Sequence, residues 1–328
     1  MSAPHPDPTV GELGEAAVLG RILARLAPSA ALVGPGDDAA VLAVPGGRVV
    51  ATVDTLVHGP DFRLAWSSGF DLGWKAAAVN LSDVAAMGAR PTALLVALAM
   101  PDDTRVGFVE QLAEGLAAAC AALAPGCAVE GGDLTVSDTL TIAVTALGVL
   151  AQEPARRDGA RPGDVVAIAG EVGLAARGLA VLFERFRDAA GTPIPVDRAA
   201  LGPEDARAVD AQLRPAPPIA LGTVAAASGA TAMMDVSDGL ALDAGRMADA
   251  SGVTLALESG PLGPEPAASL AGGEDHALLA TFPTAALPEG FRRIGTVQAR
   301  GEAALTVDGA ALSARGWDPY HDWDAARG

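Results

Sequence analysis

The sequence contains few cysteines and few aromatic residues. Its two cysteines, Cys120 and Cys127, form no CxxC motif and no Cys/His cluster, so neither a disulfide framework nor a zinc site is indicated. Aromatic residues make up 4% of the chain, whereas half of all residues are apolar. The core must therefore be built from alanine, valine and leucine rather than from large rings.

Positive charge is also scarce, with 22 basic residues against 40 acidic ones, and Lys75 is the only lysine. The arginines are scattered, so a chain of net charge −18 would repel the phosphates of a nucleic acid. No basic segment precedes an apolar one at the start, and the longest apolar run, residues 93–100, is too short to span a bilayer. These features predict a cytoplasmic protein that binds neither nucleic acid nor membrane.

Several common catalytic signatures are absent from the sequence. It contains no GxxxxGK[ST] loop, no HRD or DFG motif, no GxGxxG pattern and no GxSxG elbow. The usual sequence arguments for P-loop or protein-kinase phosphate binding, for a dinucleotide enzyme and for Ser-His-Asp hydrolysis are therefore missing. Any nucleotide must be held by a different design.

The hydrophobic pattern predicts an α+β arrangement in each half of the chain. A length of 328 residues favours two domains, and residues 152–164, with two prolines and three arginines, are typical of a linker. The first half predicts helices at residues 10–26, 70–88 and 106–123, and strands at 48–53, 93–99, 127–130 and 140–150. The second half predicts helices at 174–187 and after Gly239, and strands at 165–169, 232–236, 253–257, 277–282 and around Asp308-Gly309.

Six segments place acidic residues beside glycines, after predicted strands or on a helix of small residues. Singly, each is as well explained by a turn or a helix cap. Together they indicate bound cations, because carboxylates at buried strand ends need compensation. Oxygen ligands without nearby histidine or cysteine favour Mg²⁺ over Zn²⁺, and Mg²⁺ with phosphates indicates phosphoryl transfer. The segments are GPGDD (34–38), TVDT (52–55), NLSD (80–83), GGD (131–133), DVSDG (235–239) and GGED (272–275).

The motifs GPGDDAAVL (34–42), VDTLV (53–57), DLGWKAAAVNLSDVAAMGARP (71–91), GGDLT (131–135), DVSDGL (235–240) and GGEDHALL (272–279) occur in this order. Together they resemble the thiamine-monophosphate kinases across nearly the full chain. The resemblance implies an α+β fold with two domains of the aminoimidazole ribonucleotide synthetase type. Residues 1–152 would bind ATP and magnesium, and residues 153–328 would complete the nucleotide and substrate cleft.

The resemblance also implies a reaction. ATP would give its γ-phosphoryl group directly to the phosphate of thiamine monophosphate, yielding thiamine diphosphate, with several Mg²⁺ ions between the reactants in a homodimer. A phosphate monoester is already an anionic nucleophile, so no general base is assigned.

The resemblance also implies roles for individual residues in the matching motifs. The implied metal ligands are Asp38, Thr52, the main chain of Val53, Asp54, Asp83, Asp133, Asp235 and Asp238. Gly132, Asp133, Arg157 and Ser237 would bind ATP, although a solvated linker arginine is nearly as good an interpretation of Arg157. Asp61, Glu274 and Trp317 would contact the thiamine end, where Trp317 has the alternative of capping the core.

Several positions depart from the family's usual motifs, including the ending Trp317-Asp318-Pro319-Tyr320. Asp61 stands where a histidine is usual, and Val53 stands where a threonine is common. His276 and Ala277 replace a tyrosine and a glutamate after the GGED motif. The metal motifs are therefore kept, whereas the acceptor end differs.

Two rival interpretations are weaker. A synthetase of the selenophosphate type would need a nucleophilic cysteine in the N-terminal glycine-rich region, and a hydrogenase-maturation relative would need a C-terminal cysteine; neither is present. A sensor that binds thiamine phosphate or a nucleotide without turnover would not need every metal carboxylate.

Overall fold

Two β-sheets flanked by helices organise the chain, as the sequence predicts for an α+β fold. The computed structural model describes residues 7–13, 15–26, 47–283, 287–313 and 316. The first sheet is mixed and has the strand order β1-β4-β2-β3, in which only β2 and β3 are parallel. Its strands are β1 (Val49–Val57), β2 (Arg90–Met100), β3 (Ala128–Val136) and β4 (Thr141–Val149).

One face of the first sheet is covered by the helices α3 (Gly69–Ala86) and α4 (Val106–Leu123). The short helices α1 (Val10–Leu13) and α2 (Glu15–Leu23) precede the sheet, and α2 packs against α4. On the opposite face, called the open face below, Val49 and Val53 of β1 are 50% and 60% exposed.

The helix α4 is long and apolar enough to cross a bilayer by length and composition alone. The core helices of globular proteins meet the same criterion. Leu112 and Leu116 of α4 are buried, together with Leu72 and Leu81 of α3, in the hydrophobic core between the first sheet and its helices. In this structure α4 therefore acts as a core helix.

The second sheet has seven strands in the order β11-β10-β7-β9-β5-β8-β6. Its strands are β5 (Val165–Ala169), β6 (Ala232–Val236), β7 (Val253–Leu257), β8 (Ala277–Phe282), β9 (Arg292–Ala299), β10 (Leu305–Val307) and β11 (Ala310–Ala311). The accompanying helices are α5 (Leu174–Arg185), α6 (Pro203–Leu213), α7 (Ile219–Ala227), α8 (Leu240–Ser251) and α9 (Pro266–Ala271), with 3₁₀ turns at Arg198–Ala200 and Gly260–Leu262. The strands β5, β6 and β8 are buried along their whole length.

Two predicted strand ends are wrong. Asp54 does not follow β1 but lies inside it, because pairing with β4 continues to Val57 opposite Thr141. Asp133 likewise lies inside β3, since pairing with β2 continues to Val136. Carboxylates expected beyond the strand ends are therefore fixed within the sheet ladder.

The remaining elements agree with the sequence to different degrees. The helix α4 has the predicted bounds, and the strands β5, β6, β7 and β8 are confirmed. The predicted helix 10–26 is instead two short helices. The elements α6, α7 and β9 were not predicted.

Candidate functional site

A cavity of about 600 Å³ lies between the loop after β1, the helix α3 and the second half of the chain. Two tryptophans of the first half bridge to the second half beside it. Trp66 donates its Nε1–H to the carbonyl of Phe186 at 3.0 Å, and Trp74 donates to the carbonyl of Pro215 at 2.7 Å. Apolar side chains form one part of the cavity wall, namely Phe62, Trp66, Leu179, Leu182, Phe183 and Leu213.

The helix α3 brings Asp83 against β1. The hydroxyl of Thr52 donates to Asp83 Oδ2 at 2.8 Å. The amide oxygen of Asn80 accepts from the backbone N–H of Asp54 at 3.0 Å, and its Nδ2 donates to the carbonyl of Ala76 at 2.9 Å. Thr52, Asp54 and Asp83 thus share one face, as their predicted common role requires.

The end of β6 adds two more carboxylates. Asp235 is 9% exposed, and its Oδ2 lies 3.1 Å from Nδ1 of His276. Arg246 contacts Asp238 at 2.6 Å and Asp243 at 2.8 Å, both through Nη1. Asp243 Oδ2 also accepts from the backbone N–H of Asp238 at 3.0 Å, so that the loop after β6 is held in place.

These carboxylates repel one another. Burial raises the pKa of Asp83 to about 7, with further contributions from the charges of Asp235 and Asp54. Burial also raises the pKa of Asp54, and the charges of Asp235 and Asp238 add to this shift. Buried carboxylates in such proximity favour a bound cation.

The carboxylates of the site suit an Mg²⁺ ion that is shared with a bound phosphate. Within the described residues, no three His, Cys, Asp or Glu side chains converge closely enough to hold an ion alone. Magnesium normally keeps several waters and binds through one or two carboxylates together with substrate phosphates. Carboxylates that are spread over several elements therefore suit Mg²⁺ with phosphate, and they do not suit a closed structural site.

The acceptor-end candidates meet at the cavity. Lys75, whose side chain is 5% exposed, forms an ion pair with Glu274, and its Nζ donates to the carbonyl of Gln212 at 3.3 Å. Burial would raise the pKa of Glu274, but the charges of Lys75 and His276 hold it below its ordinary value. Asp61 accepts from the Val57 N–H at 2.7 Å. Asp61, Glu274, Ser237 and Asp238 line this one cavity.

Asp133 lies apart from the other carboxylates of the same chain. The strands β1 and β3 are opposite edges of the sheet, about 14 Å apart at three inter-strand spacings. One row of paired residues crosses the sheet from Asp133 on β3 to Thr55 on β1. Its intermediate members are Ala97 on β2 and Ala143 on β4. Asp133 thus lies on the open face with Thr55, whereas Asp54 is on the face toward α3. The residue before Asp133 has no room for a side chain, since a Cβ at Gly132 would lie 2.1 Å from the carbonyl oxygen of Val96.

Three further candidates lie elsewhere. Arg157 is exposed, and its carbonyl accepts from Ser251 at 3.0 Å in the segment beside β6. Asp38 and Trp317 fall outside the described residues. Gly316 lines the cavity and packs against Asp238, where a Cβ would lie 2.3 Å from the carbonyl oxygen.

Sequence reasoning missed several residues at the site. Asn80 precedes Asp83 by three positions on α3, so helical spacing was an available signal. Arg246 and the pairing of His276 with Asp235 depend on long-range contacts that spacing does not reveal. The apolar wall has no distinguishing signal, because its residues look like ordinary core residues.

The chain is similar to known proteins along most of its length. Residues 36–150 match the family described as AIR synthase related protein, N-terminal domain, and residues 161–308 match its C-terminal domain. The thiamine-monophosphate kinase of Mycobacterium tuberculosis is 38% identical over 335 residues, covering 97% of this chain and 93% of the relative. That of Corynebacterium glutamicum is 41% identical over 322 residues, covering 92% and 91%.

A solved structure of AaThiL complexed with AMPPCP and TMP superposes with a TM-score of 0.73 at 30% identity, covering 93% of this chain and 97% of that one. The family models, the relatives and this structure each cover most of the chain. The chain therefore belongs to the thiamine-monophosphate kinase family.

Proposed function

We propose that this protein transfers the γ-phosphoryl group of ATP directly to the phosphate of thiamine monophosphate, giving thiamine diphosphate and ADP. The observation that carries the proposal is the placement of Asp54, Asp83 and Asp235 next to a cavity lined by Asp238 and Glu274. Such an arrangement offers carboxylates for cations at one end and a carboxylate for a cationic acceptor at the other.

Asp54, Asp83, Asp235 and Asp238 would hold Mg²⁺, with the hydroxyl of Thr52 supporting Asp83. The remaining proposed ligands are Asp38, Asp133 and the main chain of Val53. When bound, Mg²⁺ neutralises phosphate charge and aligns the reacting groups. Its presence in this protein is a proposal supported by the hard oxygen donors and by the raised pKa of Asp83.

The protein's own residues would mainly orient the substrates. Ser237, Gly132 and Arg157 would face the nucleotide, and Asp61, Glu274 and Trp317 would face the thiamine end. Two unit charges 4 Å apart repel by about 4 kcal/mol at an effective dielectric near 20, so approach of two phosphates needs neutralisation. Since the attacking phosphate is already anionic, no side chain has to remove a proton from it.

The position of Asp133 supports a homodimer in which each copy completes the other's site. Asp133 lies on the open face and on the edge opposite β1, away from Asp54 and Asp83 of its own chain, and a second copy would bring it to them. Exposed Val49 and Val53 on the same open face give a second copy an apolar surface to cover.

The domain boundary and the location are part of the same proposal. We place the boundary between residues 152 and 153, because no helix or strand lies between β4 and β5. A cytoplasmic location is consistent with ATP as the donor substrate.

The proposal is tested by incubating purified protein with ATP, Mg²⁺ and thiamine monophosphate and separating the products. Thiamine diphosphate and ADP should form in equal amounts. ADP without thiamine diphosphate would favour a different acceptor, and binding of both substrates without turnover would favour the sensor. An Asp102→Asn variant, which removes an exposed turn carboxylate, is the matched control for changes at Asp83.

A further inference from the structure

His276 occupies a buried position between Asp235, one of the proposed metal ligands, and Glu274, which lines the cavity. It is 5% exposed, and its Nδ1 lies 3.1 Å from Asp235 Oδ2. An ionised carboxylate can only accept, so the proton of this hydrogen bond belongs to Nδ1. The other ring nitrogen, Nε2, is buried and has no hydrogen-bond partner within the described residues.

The backbone of His276 is fixed from two sides. Its N–H donates to the carbonyl of Val236 at 3.1 Å, on the strand that carries Asp235. Its carbonyl accepts from the hydroxyl of Ser82 at 3.3 Å, one residue before Asp83 on α3. The same residue therefore links the strand and the helix that supply the two carboxylates.

His276 has a positive φ, which is uncommon for residues other than glycine. Its φ is 53°, in the left-handed region where glycine and asparagine are preferred. The two hydrogen bonds to its backbone fix the position of the residue, and the contact of Nδ1 with Asp235 Oδ2 fixes the direction of the ring. The fixed ring in turn restricts the rotation of the Asp235 side chain.

We propose that His276 is a positioning residue which fixes the carboxylate of Asp235 for metal binding through its Nδ1–H donor. The inference rests on the proposed metal role of Asp235. Hydrogen-bond partners of metal-ligating groups orient those groups, and their loss typically weakens metal affinity by 10- to 100-fold. His276 thus acts on the cation through Asp235 and does not itself touch the reacting atoms.

Two substitutions separate the hydrogen bond from the backbone strain. Both asparagine and glycine tolerate positive φ, but only asparagine keeps a donor near the position of Nδ1. Mn²⁺ affinity is measured by electron paramagnetic resonance in the presence of AMPPCP and without an acceptor. His276→Gly should weaken Mn²⁺ binding by about 10- to 100-fold, whereas His276→Asn should stay within about threefold of wild type.

Two controls complete the test. His58→Gly changes an exposed histidine that is not among the proposed metal ligands, and it should leave Mn²⁺ affinity unchanged. In an Asp235→Asn background, His276→Gly and His276→Asn should bind Mn²⁺ equally, since the carboxylate to be oriented is gone.

Wild-type affinity in His276→Gly, or equal weakening in His276→Gly and His276→Asn, would overturn the proposal. If His276→Gly does not fold, His276→Leu removes the donor while filling the space. Because no acceptor is added, these outcomes are independent of whether thiamine monophosphate is the true substrate.

Discussion

At the scale of single residues, the carboxylates that would hold metal are a source of instability when no metal is bound. Asp83 shows this most clearly, because burial and the nearby charges of Asp235 and Asp54 raise its pKa to about 7. Functional sites often retain such unfavourable arrangements, and neutral replacements can then stabilise the fold while removing activity.

We therefore expect Asp83→Asn to raise the melting temperature in EDTA and to lower kcat by orders of magnitude. The amide removes repulsion but keeps an oxygen that can accept from Thr52. Thermal unfolding and steady-state kinetics measure the two effects, and Mg²⁺ with AMPPCP should stabilise wild type more than the variant. A variant with near wild-type kcat at saturating Mg²⁺ would contradict the role of Asp83.

Glu274 gives a second prediction at this scale. Glu274→Gln should raise KM for thiamine monophosphate with little change in KM for ATP, because it removes a carboxylate from the acceptor cavity. It should also lower the melting temperature, since Lys75 stays buried without its ionic partner. Adding Lys75→Met should recover stability but not acceptor affinity. Equal effects on both KM values would show that Glu274 does not belong to the acceptor site.

At the scale of elements, α3 connects the core to the site. It packs so closely on α4 that a Cβ at Gly73 would lie 1.9 Å from the carbonyl oxygen of Leu112. The same helix brings Lys75 to the second half of the chain, and it brings Asn80 and Asp83 to β1. Its position in the core therefore determines the position of the carboxylate.

Gly73→Ala should destabilise the protein by about 1–3 kcal/mol, because the methyl group forces the two helices apart. It should also weaken Mg²⁺ activation, since Asp83 moves with α3. The matched control is Gly20→Ala in α2, where a Cβ meets no atom of the described residues within 4 Å. That change should stabilise by about 0.5–1 kcal/mol through helix propensity. Denaturant unfolding measures both changes in the free energy of unfolding. Wild-type stability in Gly73→Ala would show that α3 can move away from α4 without destabilising the protein.

The sequence predicted elements well where one pattern dominated. The helix α4 and the buried strands β5, β6 and β8 have clear apolar patterns and appear as expected. The ends of β1 and β3 were misplaced because both strands are sheet edges, where aspartate and glycine interrupt the apolar signal. The motif residues themselves were found, but contacts between Asp235 and His276, 41 positions apart, have no local signature.

At the scale of the whole molecule, the described residues of a single chain leave one proposed ligand, Asp133, apart from Asp54 and Asp83. Asp133 lies on the open face at the edge opposite β1, and we propose that a second copy supplies it to the site. Closed two-fold dimers place the same surface of each copy against the other and would create two equivalent sites.

Co-expression of Asp83→Asn and Asp133→Asn chains with different tags tests this arrangement. The purified heterodimer should have about half of wild-type activity, because one site receives both intact residues and the other receives neither. Each homodimer of one variant should be inactive. An inactive heterodimer would mean that Asp83 and Asp133 act within one chain, and a monomeric protein would exclude the arrangement.

The central claim is direct transfer of a phosphoryl group from ATP to thiamine monophosphate. Its most direct test is a single-turnover, rapid-quench reaction with ATP labelled at the γ-phosphate, excess enzyme, Mg²⁺ and thiamine monophosphate. We expect the label to pass from ATP to thiamine diphosphate at the rate of ADP formation, with no labelled protein at any time. Label recovered on the protein or as inorganic phosphate, with thiamine monophosphate unchanged, would contradict the claim.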